Sequence, residues 1–181
     1  MPIAADKTSS PTPDTRLLSG RWLVDPHVSH ARFVARSLAG LMKTPGRFGA
    51  LSGSLVVDQA RAAGALVIDS SSIDTGNRIR DRHLRSRAFF DVERYAQLRY
   101  EVHSITSLEP GTARIDGELV VLVTRAPLSL DVTLHAPTDG MVELACHTEV
   151  DRVALGIRGA RGIVPRAVEL DVALTLREVT A

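Results

Sequence analysis

Aromatic residues and charge bias are both scarce in this chain. Aromatic side chains make up 4% of its 181 residues, and the formal net charge is +1 at pH 7. Without a basic surplus or a set of rings on which bases could stack, the composition argues against nucleic-acid binding. Leu, Val, Ile and Ala must therefore build the interior, and medium-sized aliphatic side chains suggest a core that is less than completely filled.

Cysteine and long apolar runs are lacking as well. The single cysteine, Cys146, excludes an intramolecular disulfide framework, and its place in an alternating apolar run indicates a small hydrophobe. No apolar run approaches the ~20 residues that a membrane-spanning helix needs. Residues 1–19 lack the hydrophobic segment of a secretory signal and are rich in Ser, Thr, Pro and Asp. We therefore expect a disordered tail over residues 1–19, one folded domain over residues 20–181, no integral membrane segment and a cytoplasmic location.

Metal-ligand patterns are also lacking. His27 and His30 come closest to the start of such a pattern, but no cysteine pair and no further histidine follow at ligand spacing. The sequence predicts neither a metal site nor a cofactor.

What the chain does have is hydrophobic alternation with a period of two. Leu128, Leu130, Val132 and Leu134 alternate with polar residues, which is typical of an antiparallel strand with one buried face. Strand candidates occupy residues 22–25, 31–37, 50–58, 65–69, 98–104, 112–123, 128–134, 142–146 and 168–176. Pro45-Gly46, Gly64 and Pro110-Gly111 are interpreted as breaks between strands.

Eight or nine successive strands with short connections predict an all-β protein. An up-and-down antiparallel barrel is favoured because it removes exposed strand edges without crossovers. A barrel of roughly eight strands is just wide enough to be filled by side chains or to hold one small ligand. Residues 79–95 predict a short helical insert, and the glycine-rich residues 151–166 predict an irregular loop before the last strand.

The charged segment at residues 70–90 is the most unusual part of the chain. It lies between two strand candidates and ends in paired aromatic residues, Phe89 and Phe90. The arginines of this segment and its flank are Arg78, Arg80, Arg82, Arg85, Arg87 and Arg94, against Asp81, Asp91 and Glu93. Two hypotheses remain open: a solvated helix with internal ion pairs, or arginines that face the mouth of the barrel and bind a phosphate or quinone oxygen.

Asp81 and His83 are the residues in this segment that could carry chemistry. They could form a buried hydrogen bond that closes the barrel, contact a ligand head group, or act as an acid–base pair. No nucleophile or second base lies at a recognisable spacing, so the sequence names no catalytic residue.

Three sets of motifs resemble the YceI-like family of lipocalin-like, polyisoprenoid-binding proteins, and together they cover about residues 20–179. The first set is Gly20-x-Trp22-x-Val24-Asp25-Pro26 with Ser29, Phe33 and Gly46-x-Phe48. The second, and most specific, is Ser72-Ile73-Asp74-Thr75-Gly76-Asn77, Arg80-Asp81-x-His83-Leu84-Arg85-Ser86 and Phe89-Phe90-Asp91-Val92. The third is Asp151-Arg152, Leu155-Gly156 and the alternating run at residues 168–176.

The resemblance implies a lipocalin-like barrel whose apolar bore binds, transports or stores a long isoprenoid lipid, such as a prenylated quinone or a prenyl phosphate. The residues expected to contact this ligand are Phe33, Phe48, Arg80, Asp81, His83, Leu84, Phe89, Phe90 and Tyr100. Transient membrane contact and a homodimer are compatible with this function. The alternative is an enzyme that acts on an isoprenoid inside the barrel with Asp81 and His83 as acid and base. A third hypothesis is a fully packed barrel that acts through its surface.

Overall fold

Strands dominate the computed structural model, which describes residues 18–37, 41–58, 61–160 and 164–179. The strands before the helix are β1 (Gly20–Val24), β2 (His30–Ser37), β3 (Met42–Phe48), β4 (Leu51–Asp58), β5 (Arg61–Asp69) and β6 (Ile73–Asp74). The helix α1 (Arg78–Arg85) follows, and then β7 (Gln97–Glu109), β8 (Thr112–Val121), β9 (Thr124–Thr138), β10 (Met141–Asp151) and β11 (Ala167–Glu178). The predicted helical insert and the irregular connection after residue 151 are both found. Residues 1–17 of the predicted tail lie outside the described residues.

Eight strands close into an antiparallel barrel in the order β1, β4, β5, β7, β8, β9, β10, β11, with β11 pairing back to β1. β2 continues β1 along the edge of β11, and β3 and β6 extend β4 and β5 in the same way. Each kinked pair therefore acts as one long strand that is antiparallel to its neighbours. The predicted eight-stranded up-and-down barrel is confirmed.

The barrel has two different ends, which the strand register identifies. At the closed end, β4 ends at Asp58 and β5 begins at Arg61, and turns lie at residues 109–112 and 138–141. At the helical end lie α1, Leu41 just before β3, the β8–β9 turn and residues 152–160 and 164–166. Inward and outward residues alternate as predicted; on β10, for example, Val142 and Leu144 are buried whereas Glu143 is exposed.

Hydrogen bonds of Asp25 and Ser29 join the kink between β1 and β2 to β11. Buried Asp25 accepts hydrogen bonds from the backbone N–H of His27 (3.0 Å) and from Nε of Arg177 (2.7 Å). The His27 N–H and the Arg177 guanidinium hold the pKa of this carboxyl below its ordinary value. The Ser29 hydroxyl accepts a hydrogen bond from the Thr175 N–H, so this backbone group of β11 keeps a partner at the kink.

Three predicted boundaries are corrected by the structure. Gly64, interpreted as a break before a strand at residues 65–69, lies inside β5, where a Cβ would be 2.1 Å from the carbonyl oxygen of Ser54 on the neighbouring strand. Pro45-Gly46 is not a break but lies inside β3. The outer edge of β3 pairs with β6 only at Arg47 and Phe48, so a proline without an N–H fits the unpaired stretch. Gly46 is required because the Phe33 ring lies directly over it: a Cβ there would be 2.2 Å from Cζ of Phe33.

The strand predicted at residues 112–123 ends at Val121, because the chain turns at Leu122 and Val123. Leu122 has a φ of 54°, a left-handed conformation that is uncommon outside glycine. It is stabilised by packing against the core of the helical end, whereas Val123 is exposed. A turn made of two apolar residues carries none of the usual turn signals.

Candidate functional site

A cavity of about 420 Å³ runs inside the barrel between the two ends. Its wall is formed mainly by aliphatic side chains that point inward from the barrel strands, among them Leu66, Leu128, Leu144 and Leu174. The volume falls within the usual range of small-molecule binding sites, roughly 300–1,000 Å³. A fully packed barrel, the third hypothesis from the sequence, is therefore not what the structure shows.

The closed end is sealed by a plug of buried side chains. Its members are buried core residues that do not line the cavity: Leu18, Trp22, Val57, Ala62, Ile105, Ala113 and Val142. The indole Nε1 of Trp22 donates a 2.8 Å hydrogen bond to the carbonyl of Leu18, so the ring satisfies its polar atom inside the core. Leu18, predicted to belong to the tail, is therefore part of the folded core.

At the helical end, the cavity wall is formed by the phenylalanines. The rings of Phe33 and Phe48 lie 5.7 Å apart, and those of Phe48 and Phe90 meet edge to face at 5.9 Å. Phe89 is buried, and its ring contacts the imidazole of His83 at 5.0 Å. Because Gly159 would clash with the Phe89 ring if it carried a Cβ, the 152–166 connection packs tightly against this aromatic group.

The tyrosine predicted for the bore, Tyr100, lies in the cavity wall with its hydroxyl engaged. Its oxygen lies 3.0 Å from the carbonyl oxygen of Ile115 and 2.9 Å from that of Leu128. Burial raises the pKa of the phenol, so it stays neutral. Tyr100 therefore offers a ligand its apolar ring face more readily than its hydroxyl.

Helix α1 is held across the barrel end by a capping residue and by hydrogen bonds from an arginine. Asn77 caps its first turn by accepting from the N–H groups of Ile79 and Arg80. Arg85 donates to the carbonyls of Ser71 (2.7 Å) and Ile73 (2.6 Å), which ties the helix to β6. The apolar side chain of Leu84 lines the cavity beneath the helix.

Asp81 and Arg80 both bind Thr75. The Asp81 carboxylate accepts from the Thr75 N–H (2.9 Å) and hydroxyl (2.5 Å), and Arg80 donates to the Thr75 hydroxyl (2.7 Å) and carbonyl (2.9 Å). Asp81 is buried and is not among the cavity-lining residues. Its position fits a structural role in the turn before α1, with Thr75 as its partner in place of the His83 that the sequence suggested.

His83 lies at the surface beside the cavity rather than in a pair with Asp81. The imidazole is exposed, lines the cavity and contacts Phe89. Within the described residues, no hydrogen bond joins His83 to Asp81, so the geometry of an acid–base couple is not formed. Together with half-buried Arg80, His83 marks a polar mouth at the helical end.

Eight of the nine residues expected to contact a ligand line this cavity, Asp81 being the exception. Sequence reasoning missed many of the other lining residues, and two of these bear on the chemistry of the site. Cys146 points inward from the middle of β10, and burial raises the pKa of its thiol. Arg152 is buried and donates to the carbonyls of Ile157, Gly159, Val164 and Pro165, so it organises the 152–166 connection at the mouth. The alternation of β10 and the Asp151-Arg152 motif were the available signals.

In the part of the chain that the structure describes, one group of possible metal ligands lies outside the cavity. Ligand atoms of Glu101, His103 and Glu118 all lie within 4.8 Å of one another. The Arg125 guanidinium already binds the carboxylates of Glu101 and Glu118, at 3.0 Å for the latter. The arrangement is that of a surface ion-pair network, and the absence of a metal site stays a prediction.

Within the described ranges, no helix combines the length and apolarity needed to cross a membrane.

Sequence comparison gives a match to the YceI-like domain over residues 22–177. A UPF0312 protein of Shewanella baltica is 27% identical over 123 residues, which are 66% of this chain and 63% of that protein. A UPF0312 protein of Vibrio parahaemolyticus is 25% identical over 114 residues, 61% of this chain and 60% of the other. The match thus spans somewhat over half the length of these relatives.

Structure comparison finds the same barrel in other proteins. BcnA of Burkholderia cenocepacia superposes with a TM-score of 0.76 at 19% identity, covering 84% of this chain and 98% of BcnA. A polyisoprenoid binding domain of Saccharophagus degradans, implicated in plant cell wall breakdown, gives a TM-score of 0.75 at 15% identity, covering 87% and 98%. The YceI protein of Campylobacter jejuni gives 0.70 at 16% identity, covering 77% and 88%. At these identities the likeness establishes the fold.

Proposed function

Because the chain belongs to the YceI-like family, we propose that it is a non-enzymatic protein that binds an isoprenoid lipid inside its barrel. The observation that carries this proposal is the apolar cavity of about 420 Å³ that ends at a polar mouth. A polyprenyl tail is a flexible hydrocarbon, so it can fill such a bore without specific polar contacts. The Saccharophagus degradans domain, named for polyisoprenoid binding, has the same fold and supports the assignment.

The cavity volume suggests how much of a tail can be enclosed. Since an apolar cavity of about 150 Å³ holds one benzene ring, the volume of about 420 Å³ accommodates on the order of 17 carbons. This corresponds to roughly three isoprene units, and a longer tail would protrude from the mouth. Burying about 15 carbons at ~0.8 kcal/mol each gives a gross gain of about 12 kcal/mol, which exceeds association costs in the lower and middle part of their range of roughly 4–15 kcal/mol.

The head group belongs at the helical end in this proposal. Arg80 and His83 are the polar residues of α1 that line the cavity there, and either can donate a hydrogen bond to a phosphate or quinone oxygen. We place the tail against the aliphatic wall and the head beside these two residues. Transport or storage of the lipid, a homodimer and a cytoplasmic location are further expectations that accompany the proposal.

The direct test is to identify what the purified protein carries. Organic extraction followed by mass spectrometry should recover a compound with a polyprenyl tail. Cys146→Phe, which places a ring in the cavity, should recover less of it, and His147→Phe, which places the ring outside on the same strand, should not. Recovery of equal amounts from both variants, or of none from protein produced in several hosts, would contradict binding in this cavity.

His83→Ala separates the carrier from the enzyme alternative. A carrier should keep its affinity for the tail in this variant, since His83 contributes only at the mouth, and no turnover should depend on the imidazole. An isoprenoid that is converted by the parent and left unconverted by His83→Ala, with binding intact, would establish the enzyme instead.

A further inference from the structure

The helical end carries the most exposed large hydrophobic side chains of the described residues. Leu41 just before β3 is 87% exposed, Ile79 on α1 is 81% exposed and Val123 in the β8–β9 turn is 77% exposed. These three residues come from separate parts of the barrel rim, and all lie at the end where the cavity has its mouth. Each is surrounded by solvent, so none is explained by packing within the chain.

Charge at the two ends differs in sign. Arg78, Arg82 and Arg87 are exposed at the helical end, and none forms an ion pair with a carboxylate in the part of the chain that the structure describes. The residue range 78–94 holds six arginines against three carboxylates. At the closed end, the strand ends and turns instead carry Asp58, Glu109, Asp139 and Glu178 against Arg21, Arg61 and Arg177, and the Arg177 guanidinium is already paired with Asp25. The molecule is therefore polarised along the barrel axis, with its positive end around the mouth.

We propose that the helical end docks on the surface of an anionic lipid bilayer. Leu41, Ile79 and Val123 would insert at the level of the head groups, and Arg78, Arg82 and Arg87 would contact lipid phosphates. The charge of the rim argues for this occupant, because an anionic membrane complements it whereas a second copy of the same positive end does not. The inference rests on the proposed lipid-binding function for its purpose: it brings the mouth against the phase in which a water-insoluble tail resides.

Vesicle flotation tests the docking surface. The full chain should float with phosphatidylcholine vesicles that contain phosphatidylglycerol, and binding should fall in high salt and with pure phosphatidylcholine. Each arginine near an anionic surface contributes about fivefold in affinity, so Arg78→Gln/Arg82→Gln/Arg87→Gln should bind at least tenfold more weakly. Leu41→Ser/Ile79→Ser/Val123→Ser should show a loss of similar size.

The matched control removes apolar side chains from the barrel wall. Leu23, Val28 and Val56 are about half exposed and lie away from the helical end, so Leu23→Ser/Val28→Ser/Val56→Ser should bind vesicles like the parent. Equal losses in both serine triples, or no binding by the parent, would overturn the proposal. A dimer of the parent that the rim triple converts to a monomer would overturn it too, because the rim would then be a subunit interface.

Loading of the cavity is measured separately, without vesicles. Bound farnesol should protect the Cys146 thiol from an alkylating reagent. Protection without vesicle binding would overturn the docking surface and leave the proposed function intact. Vesicle binding without protection would support docking and contradict the cavity as the lipid site.

Discussion

Placing one phenyl ring inside the barrel should change the length of tail that the protein accepts. Cys146 lines the cavity from the inner face of β10, so the ring of Cys146→Phe enters the bore. Since about 150 Å³ is the space of one benzene ring, a cavity of about 420 Å³ is reduced by roughly a third and then accommodates on the order of 11 carbons. The two isoprene units of geraniol still fit, whereas the three of farnesol do not.

The expected loss follows from the carbons that are left outside. About four carbons of farnesol at ~0.8 kcal/mol each amount to about 3 kcal/mol, or roughly a 200-fold weaker affinity. Geraniol should lose less than about threefold, because its carbons remain enclosed. The variant should therefore reverse the preference of the parent from the longer to the shorter tail.

Calorimetric titration with both alcohols measures the change, and thermal melting verifies the fold. Because the ring enters existing cavity space, the melting temperature should stay at the parent value or rise. His147→Phe adds the same ring to the outer face at the next residue and should bind both alcohols as the parent does. Unchanged farnesol affinity in a Cys146→Phe protein that melts normally would refute the placement of the tail in this cavity.

Three further predictions concern single residues. Gly46→Ala should destabilise the fold by about 1–3 kcal/mol in urea unfolding, because the new Cβ displaces the Phe33 ring. The control Gly49→Ala should change the unfolding free energy by less than about 0.5 kcal/mol, because a Cβ there has its nearest neighbour at 3.7 Å. Equal effects of the two variants would contradict the close approach of Phe33 to Gly46. Asp25 has a lowered folded-state pKa, so its contribution to stability is present above its ordinary value of 3.8 and is lost as the pH falls through the folded-state value. The difference in unfolding free energy between the parent and Asp25→Asn should therefore shrink as the pH falls from 3.8 toward the folded-state value, and a constant difference would contradict the hydrogen bonds of Asp25 to His27 and Arg177. Burial raises the pKa of the Cys146 thiol, so iodoacetamide should modify the folded chain more slowly than the urea-unfolded chain at mildly alkaline pH. Intact-mass spectrometry measures both rates. Equal rates would place the thiol outside the cavity.

Alternation was sufficient to predict the barrel, because a residue on one face of a strand is recognisable by its polarity. The prediction of strand boundaries failed where tertiary contacts outweigh the local conformational preference of a residue. Pro45 and Gly46 suggest a turn, yet an unpaired edge tolerates the proline and the Phe33 ring requires the glycine. Leu122 and Val123 suggest a strand, yet packing at the helical end stabilises a turn there.

The sequence predicted which residues form the candidate site better than it predicted what each residue does there. The phenylalanines and Leu84 were identified through the resemblance and do line the cavity. Asp81 belongs to the same motif but binds Thr75 instead, a contact six residues away that no spacing rule indicates. Cys146 could be assigned to the interior by alternation, but only the closed barrel shows that this interior is a cavity.

The outer edge of β3 is unpaired from Met42 to Gly46 in the described structure, even though the barrel itself closes without an edge. An open edge of this length is a template on which an extended segment of another molecule can add as a new strand, and chains that stack in this way aggregate. Lys43 and Pro45 lie within this stretch, and a charge and a missing N–H are the two features that natural sheets use against such growth. The same two residues that make this hairpin irregular therefore disfavour polymerisation through its edge.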